Sequence, residues 1–295
     1  MPSHLTLVAL SNDPISEGLG LALSAHATII GIALNASHSH ATQSKYFSER
    51  WVTSAPLMPE ARVAMRNIAS TYGIDLAFLS PEFQAQEVKV LAMDMDSTLI
   101  NIECIDEIAD FVGQKAAVSE ITEATMRGEI KDFKESLRRR VALLAGVSAN
   151  VLESVYKERM HLNPGASELL AGATQRGLYT LLVSGGFTFF TEKLQTELGF
   201  KQTQANTLEI IDGKLTGKVL GEIVDGKAKA AYLNSACIHM NCTKSNAITM
   251  GDGSNDLPMM HGSGISIAYR AKAIVKEKAD AAFDRVGLDG ALLLF

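Results

Sequence analysis

Two aspartates stand directly after a short apolar segment, at a spacing that suits metal-assisted chemistry. Residues 88–93 read as a buried strand, and Asp94 and Asp96 follow it. In an open α/β sheet, the carboxyl ends of the strands border the crevice in which ligands bind. Carboxylates beside an apolar strand need a cation or hydrogen-bond donors, and Mg²⁺ is the natural partner for such oxygen ligands. A turn with two solvated acids is the alternative for an Asp-x-Asp pair taken alone.

A second apolar segment leads into residues that could hold an anion. Residues 178–183 read as another buried strand, and Ser184 and Gly185 come next, before a helix predicted at residues 188–198. A small hydroxyl and free backbone N–H groups at the N-terminus of a helix together form an anion site. An ordinary glycine turn is the alternative if these residues are considered without their neighbours.

The last polar cluster follows a third strand, predicted at residues 246–250. The sequence GDGSND comes directly after it and supplies three polar side chains, Asp252, Asn255 and Asp256. Two lysines that could neutralise a phosphate, Lys227 and Lys229, precede this strand. Acids, an anion site and a lysine at the ends of neighbouring strands are the parts that phosphoryl transfer requires.

These four motifs, in this order, resemble those of the haloacid dehalogenase superfamily of phosphotransferases, and the resemblance covers residues 88 to about 284. It implies an α/β fold: a doubly wound, Rossmann-like parallel sheet with a helical cap inserted at about residues 101–163. The resemblance places this phosphatase domain at residues 86–295. The A-K-x-x-x-L context favours Lys229 over Lys227 as the motif lysine, which leaves Lys227 as a solvated surface residue.

The resemblance also implies a role for each motif. Asp94 would be the nucleophile, and Asp96 the general acid and base. Mg²⁺ would be held by Asp94, by Asp252 and by the backbone carbonyl of Asp96, with Asp256 supporting the metal site from behind. The phosphate end of the substrate would be bound by Ser184, Gly185, Lys229 and Asn255.

The segment between the first two motifs narrows the resemblance. DMDSTLINIECIDEIA, followed by MRGEIKDFKESLRRRVALL, looks like the phosphoserine phosphatases, which carry out the last step of the phosphorylated route to serine. That resemblance implies that Glu103 contacts the substrate ammonium and Arg140 its carboxylate. The chemistry agrees, because a zwitterionic head group calls for a carboxylate and an arginine fork. A surface role for Glu103 is the alternative, and so is another small phosphomonoester or phosphoryl transfer to an alcohol such as homoserine.

The first 85 residues read as a separate α+β domain. Strands are predicted at residues 4–10, 28–33, 46–53 and 74–79, with helices at 14–25 and 59–72. This β-α-β-β-α-β order is the ferredoxin-like pattern. It resembles the ACT-like domains that bind small molecules in enzymes of amino-acid biosynthesis. A purely structural domain, or one that forms a homodimer, is the alternative to effector binding.

Composition excludes several other classes of function. The formal net charge is −6 and the longest basic run is Arg138-Arg139-Arg140, so a nucleic-acid surface is not expected. No signal sequence or transmembrane segment is predicted, and no membrane partner. Three irregularly spaced cysteines predict neither a disulfide framework nor a zinc site. The sequence therefore predicts a cytoplasmic enzyme with a small-molecule substrate, O-phosphoserine.

Overall fold

The computed structural model describes residues 4–37, 45–127 and 129–295. The strands are β1 (Thr6–Ser11), β2 (Leu34–Ala36), β3 (Phe47–Thr53), β4 (Asp75–Leu79), β5 (Val90–Met93), β6 (Tyr179–Phe187), β7 (Gln202–Ile211), β8 (Lys214–Leu220), β9 (Ala247–Gly251), β10 (Ile265–Tyr269) and β11 (Ala281–Phe283). The helices are α1 (Glu17–Ile29), α2 (Pro59–Thr71), α3 (Cys104–Phe111), α4 (Lys115–Met126), α5 (Phe133–Ala142), α6 (Asn150–Glu158), α7 (Ala166–Gln175), α8 (Thr188–Leu198), α9 (Gly226–His239), α10 (Leu257–Met260) and α11 (Ala273–Lys278). The described strands form one sheet in the order β2-β3-β1-β4-β11-β10-β9-β5-β6-β7-β8.

The first four strands and two helices follow the β-α-β-β-α-β order expected from the sequence. Their pairings are all antiparallel: β1 lies between β3 and β4, and β2 pairs with β3. One face of this sheet packs on α1 and α2, around Trp51 and Met65. The other face presents Val8 and Leu10 to the larger core of the chain. The N-terminal sheet is therefore covered on both sides.

The second strand lies later than the sequence pattern indicated. It was predicted at residues 28–33, whereas α1 continues to Ile29 and β2 begins at Leu34. The cause is the packing face of α1, which extends through buried residues at helical spacing, Leu19, Leu23 and Ala27. Ile29 lies on the solvent side of the helix and is 82% exposed. The run at residues 28–33 has the composition of a strand, but its first two residues are the exposed end of α1.

The remaining strands form the sheet that positions the chemistry. Strands β11, β10, β9, β5, β6 and β7 are parallel, and β8 pairs antiparallel with β7 at the edge. Alternate residues of β5 point to opposite faces: Leu91 and Met93 join the core formed with α7 and α8, while Val90 and Ala92 pack with α9. Helices on both faces of a parallel sheet confirm the predicted doubly wound α/β fold.

Five helices of the described residues lie in the chain between β5 and β6, and the first four of them, α3 to α6, form an insertion. The chain enters and leaves this insertion at one place, because Ile100 and Leu162 pair in an antiparallel bridge. The Asn163 side chain donates to the carbonyl oxygens of Thr98 and Ile100 and fixes the same crossing. None of the helices in the described residues has the length and apolar composition needed to cross a bilayer.

The N-terminal strands are joined to the parallel strands in one continuous sheet through antiparallel pairing of β4 with β11. The domain division at residue 85 therefore stays a prediction. A buried carboxylate reinforces the junction: Asp75 is 5% exposed and accepts hydrogen bonds from the backbone N–H groups of Asp284, Arg285 and Val286 at 2.9–3.0 Å. Burial raises the pKa of Asp75, and these three N–H groups oppose the rise.

Replacing Asp75 with alanine should lower the free energy of unfolding by about 3 kcal/mol, because three N–H groups lose their common acceptor. The midpoint of urea denaturation measures this loss. Asp284→Ala is the matched control, since that exposed acid pairs with Lys276 and contributes about 1 kcal/mol or less. Equal stability of the two variants would contradict the role assigned to Asp75.

Candidate active site

Asp94 stands at the carboxyl end of β5 and is 5% exposed. Its backbone N–H donates to the carbonyl of Met250 in the neighbouring strand, so the pairing of β5 with β9 fixes its position. Its Oδ1 accepts a hydrogen bond from the N–H of Met95 at 2.7 Å. Its Oδ2 lies 2.7 Å from the Nζ of Lys229. A carboxylate held by its backbone and by both oxygens has a single orientation.

Lys229 is completely buried between two carboxylates. Its Nζ lies 2.7 Å from Asp94 Oδ2 and 2.7 Å from Asp256 Oδ1. Burial alone would lower the pKa of Lys229, but the carboxylates of Asp256 and Asp94 outweigh it and raise the pKa above its ordinary value. The two carboxylates therefore favour the charged form of this lysine. Lys227, the other candidate, is exposed on the same helix.

Three acids meet beside this lysine. One carboxylate oxygen of each of Asp94, Asp252 and Asp256 lies within 4.8 Å of the others. Burial, followed by repulsion from Asp256, raises the pKa of Asp252 to about 7, and the same causes raise the pKa of Asp94 well above its ordinary value. One lysine does not compensate three carboxylates, of which Asp94 and Asp256 are buried and Asp252 is half-buried. The donor set consists of oxygens at close range, and it fits a hard divalent cation.

The structure thus brings together the side chains of some, but not all, of the acids predicted to hold the metal. Asp94 and Asp252 belong to the cluster, and Asp256, predicted to support the site, contributes its carboxylate as well. The Asp96 side chain points elsewhere, and its Oδ1 accepts from the N–H of Cys104 at 3.4 Å. The predicted contribution of Asp96 to the metal was its backbone carbonyl, and this stays a prediction.

The turn after β5 brings Asp96 and Glu103 to the same side of the cavity. Ser97 adopts a positive φ of 56°, which reverses the chain, and its hydroxyl donates to Glu103 Oε1 at 2.7 Å. Burial, followed by repulsion from Glu103, raises the pKa of Asp96 to about 8. Burial also raises the pKa of Glu103, against the hydrogen bond from Ser97.

Ser184 and Gly185 lie where β6 leaves the regular sheet. Ser184 is completely buried, and its Oγ accepts from the N–H of Gly186 at 2.8 Å. A Cβ on Gly186 would lie 2.7 Å from Asp96 Oδ2, so a side chain at this position would displace the carboxylate. Helix α8 begins immediately after this loop, which gives the loop the electrostatic character of a helix N-terminus.

Residues of the cap helices α3, α4 and α5 line the same cavity, whose volume is about 650 Å³. Arg140 reaches the cavity from α5, and its Nε is buried without a hydrogen-bond partner. Burial lowers the pKa of Arg140, while the acids Asp106 and Glu103 oppose the change. The predicted site residues other than Lys229 and Asp256 line this cavity: Asp94, Asp96, Glu103, Arg140, Ser184, Gly185, Asp252 and Asn255. Lys229 lies directly behind Asp94.

Sequence reasoning missed several residues of this cavity. Asp106 lines it one helical turn after Glu103, and its Oδ1 is buried without a partner. The i, i+3 spacing of two acids on α3 was a signal for it. Phe133 lies against Gly185 and Lys272 lines the mouth beside Asp252, but no local pattern marks either residue.

The chain is similar to known proteins along most of its length. A family model described as haloacid dehalogenase-like hydrolase matches residues 91–261. A phosphoserine phosphatase from Polaromonas sp. (strain JS666) is 51% identical over 226 residues, which cover 75% of this chain and 96% of that protein.

Solved structures give the same picture. A probable phosphoserine phosphatase from Vibrio cholerae, in its unliganded form, has a TM-score of 0.75 and 32% identity, and covers 97% of this chain and 85% of its own. A phospho-aspartyl intermediate analogue of phosphoserine phosphatase has a TM-score of 0.66 and 37% identity, and covers 70% of this chain and 99% of its own.

Replacing Lys229 with methionine should lower the free energy of unfolding of the metal-free protein by about 3–5 kcal/mol, because Asp94 and Asp256 lose their buried counter-charge. Urea denaturation in the presence of EDTA measures this loss. Lys227→Met is the control on the same helix and should change stability by about 0.5 kcal/mol or less. If the two variants unfold at the same urea concentration, the buried pairing does not hold the site together.

Proposed function

The chain belongs to the haloacid dehalogenase-like hydrolases, and from this membership we propose that it hydrolyses O-phosphoserine to serine and phosphate. One observation carries the proposal. A single cavity is lined both by Asp94 and its acidic neighbours and by Glu103 and Arg140. The first set suits phosphoryl transfer, and the second suits an amino-acid head group. The similarity to phosphoserine phosphatases supports the same substrate.

Asp94 acts as the nucleophile in the proposed mechanism. A carboxylate oxygen of Asp94 forms a bond to phosphorus while the bond from phosphorus to the serine oxygen breaks. The serine oxygen takes the electron pair and receives a proton from Asp96. Asp96 then removes a proton from a water molecule, whose oxygen attacks the phosphoaspartate and releases phosphate and free Asp94. The place of Asp96 two residues after the nucleophile, in the same cavity, supports its use in both steps.

The negative charge of the transferring phosphoryl group is proposed to be stabilised by Ser184, Gly185, Lys229 and Asn255. Ser184 already accepts a hydrogen bond from Gly186, so its own hydroxyl proton is free to be donated. Lys229 supplies a fixed positive charge next to the nucleophile. Donors that are oriented before the reaction stabilise the transition state without a cost of reorganisation.

The residues fit a bound divalent cation, and we propose Mg²⁺ held by Asp94, Asp252 and the backbone carbonyl of Asp96, with Asp256 supporting them. When bound, this ion supplies positive charge that reduces repulsion between the phosphate dianion and the acids around it. The clustering of three carboxylates, two of them buried, beside one lysine supports the assignment.

Recognition of serine is proposed to depend on the cap. Arg140 would bind the substrate carboxylate, for which its unpartnered Nε offers a donor, and Glu103 would bind the ammonium group. In this proposal only these two contacts recognise the amino-acid part of the substrate, since the remaining site residues act on the phosphoryl group. The proposed setting is cytoplasmic, and the three free cysteines support a reducing compartment. Dimerisation through the N-terminal domain is proposed on the strength of two exposed side chains of α1, Leu21 and Ile29.

Arg140→Ala tests the substrate. It should lower kcat/KM for O-phosphoserine by at least about 30-fold, the equivalent of 2 kcal/mol for a truncated charge pair. Turnover of p-nitrophenyl phosphate, which has no amino-acid head, should change little. Phosphate release with Mg²⁺ measures both activities.

Arg138→Ala is the matched control, because this exposed arginine lies on the same helix. The proposal fails if wild type does not prefer O-phosphoserine to p-nitrophenyl phosphate. It also fails if Arg140→Ala impairs the two substrates equally.

Asp252→Asn tests the metal site independently of turnover. Saturating Mg²⁺ at about 100 times its Kd should stabilise the wild type by about 2.7 kcal/mol, and the variant should lose most of this gain. The melting temperature, recorded with and without Mg²⁺, measures it. Asp212→Asn makes the same substitution in the exposed turn between β7 and β8 and should respond to Mg²⁺ like the wild type. An unchanged response in Asp252→Asn would place the ion elsewhere.

A further inference from the structure

Asn206 is a buried polar side chain that the chemistry described above leaves without a role. It lies in β7, is 1% exposed and does not line the cavity. Both ends of its amide are bonded to backbone. Nδ2 donates to the carbonyl oxygen of Gly185, and Oδ1 accepts from the N–H of Val224, each at 2.8 Å.

The hydrogen bond from Asn206 to Gly185 replaces a strand-to-strand hydrogen bond that is missing between β6 and β7 at this point. Strands β6 and β7 pair regularly as far as Val183, and the register then shifts before Phe187 pairs with Asn206. Residues 184–186 therefore bulge out of the sheet at the point where they meet the cavity. A buried carbonyl that has left a sheet needs another donor, and the Asn206 amide supplies it to Gly185.

The same bond orients a donor for the phosphate. The carbonyl of Gly185 and the N–H of Gly186 belong to one peptide group, and that N–H donates to Ser184 Oγ at 2.8 Å. A chain of hydrogen bonds thus runs from Asn206 through this peptide to Ser184, whose hydroxyl proton remains for the phosphoryl group. Bonds in such a chain polarise one another and fix one another's direction.

The second hydrogen bond of Asn206 is made with the segment that leads into the helix of Lys229. Val224 precedes Asp225, the N-cap of α9, whose Oδ1 accepts from the N–H of Ala228. Lys229 follows in the first turns of this helix. One buried amide therefore connects the loop that carries Ser184 with the segment that starts the helix of Lys229.

We infer that Asn206 is a positioning residue for phosphoryl transfer, which holds the Ser184 hydroxyl and the Lys229 ammonium at a fixed separation. The inference rests on the proposed function only in that the phosphoryl group is transferred in this cavity. It does not depend on the substrate, because Asn206 contacts neither Glu103 nor Arg140.

The test is Asn206→Asp, an isosteric change that keeps the acceptor for Val224 and sets a carboxylate oxygen against the Gly185 carbonyl. We expect kcat to fall about 10- to 100-fold, as for groups that orient catalytic residues from behind. The loss should be equal for O-phosphoserine and p-nitrophenyl phosphate, with KM little changed, because the interaction acts in the transition state. Inhibition by vanadate, which mimics the transferring phosphoryl group, should weaken by a similar factor. Asn206→Ala, which removes both bonds, replaces this variant if it does not fold.

Leu208→Ala is the control for a merely structural effect. Leu208 is buried two residues further along β7. Its truncation should destabilise the core cluster to which it belongs, and that cluster includes neither Ser184 nor Val224. If Leu208→Ala loses as much kcat as the Asn206 variant at equal loss of stability, or if the Asn206 variant keeps kcat and vanadate affinity, the inference is overturned. Failure of the proposed function would appear separately, as a wild-type protein that does not prefer O-phosphoserine to p-nitrophenyl phosphate. In that case the turnover of p-nitrophenyl phosphate and the inhibition by vanadate would still decide the role of Asn206.

Discussion

The buried ion pairs of Lys229 with Asp94 and Asp256 are the interaction on which the rest of the site depends. A fully buried lysine has lost its hydration, and this cost is recovered only when carboxylates lie at hydrogen-bond distance in good geometry. Three separate segments must therefore meet within a few ångströms: the end of β5, the first turns of α9 and the loop after β9. The parallel pairing of β5 with β9, in which Met93 lies opposite Met250, brings the two acidic loops together. A shift of one residue in this register would turn Asp94 away from the lysine.

The same cluster explains why the site suits first a metal cation and then a phosphate anion. Three carboxylates and one ammonium leave excess negative charge in a poorly solvated place, which a metal ion would offset. In the proposed function, a phosphate dianion would be bound by Lys229 and the donors of the Ser184 loop, whose positions the fold fixes beforehand, with a bound metal ion supplying further positive charge. The protein has arranged its charges for the transferring group, and this is the form of stabilisation that contributes most to phosphoryl transfer.

The sequence was most informative where a local pattern determines a local structure. The strands that lead to Asp94, Ser184 and Asp252 were predicted because each is a short apolar run followed by polar residues. The turn between β7 and β8 also follows a local pattern: Asp-Gly is a favoured two-residue hairpin turn, and Asp212 and Gly213 both have the positive φ that it requires. Helical spacing separates the two lysines as well, since Lys229 shares a buried face with Leu233 and Ala236 while Lys227 does not.

Other features depend on contacts between distant parts of the chain, and no local pattern contains them. The pairing of β4 with β11 joins residues about two hundred positions apart, so neither strand signals its partner. The role inferred for Asn206 becomes visible only when the bulge of β6 is formed. An asparagine in a strand does not indicate its partners by itself, and only the fold brings it to Gly185 and Val224.

The position of the cap in the chain explains how one core can serve a specific substrate. In the proposed function, the parallel sheet carries the groups that act on the phosphoryl end, whereas Arg140 lies on α5 of the cap. The first turn of α5 contacts two segments of the core: Phe133 lies against Gly185, and Lys134 Nζ is 3.7 Å from Asp225, the N-cap of the helix that carries Lys229. The helix proposed to bind the amino-acid head group is thus aligned with the loop and the helix proposed to hold the phosphate. Because this alignment depends on two side chains at the start of α5, a cap of different sequence could select a different phosphomonoester while the chemistry of the core stays the same.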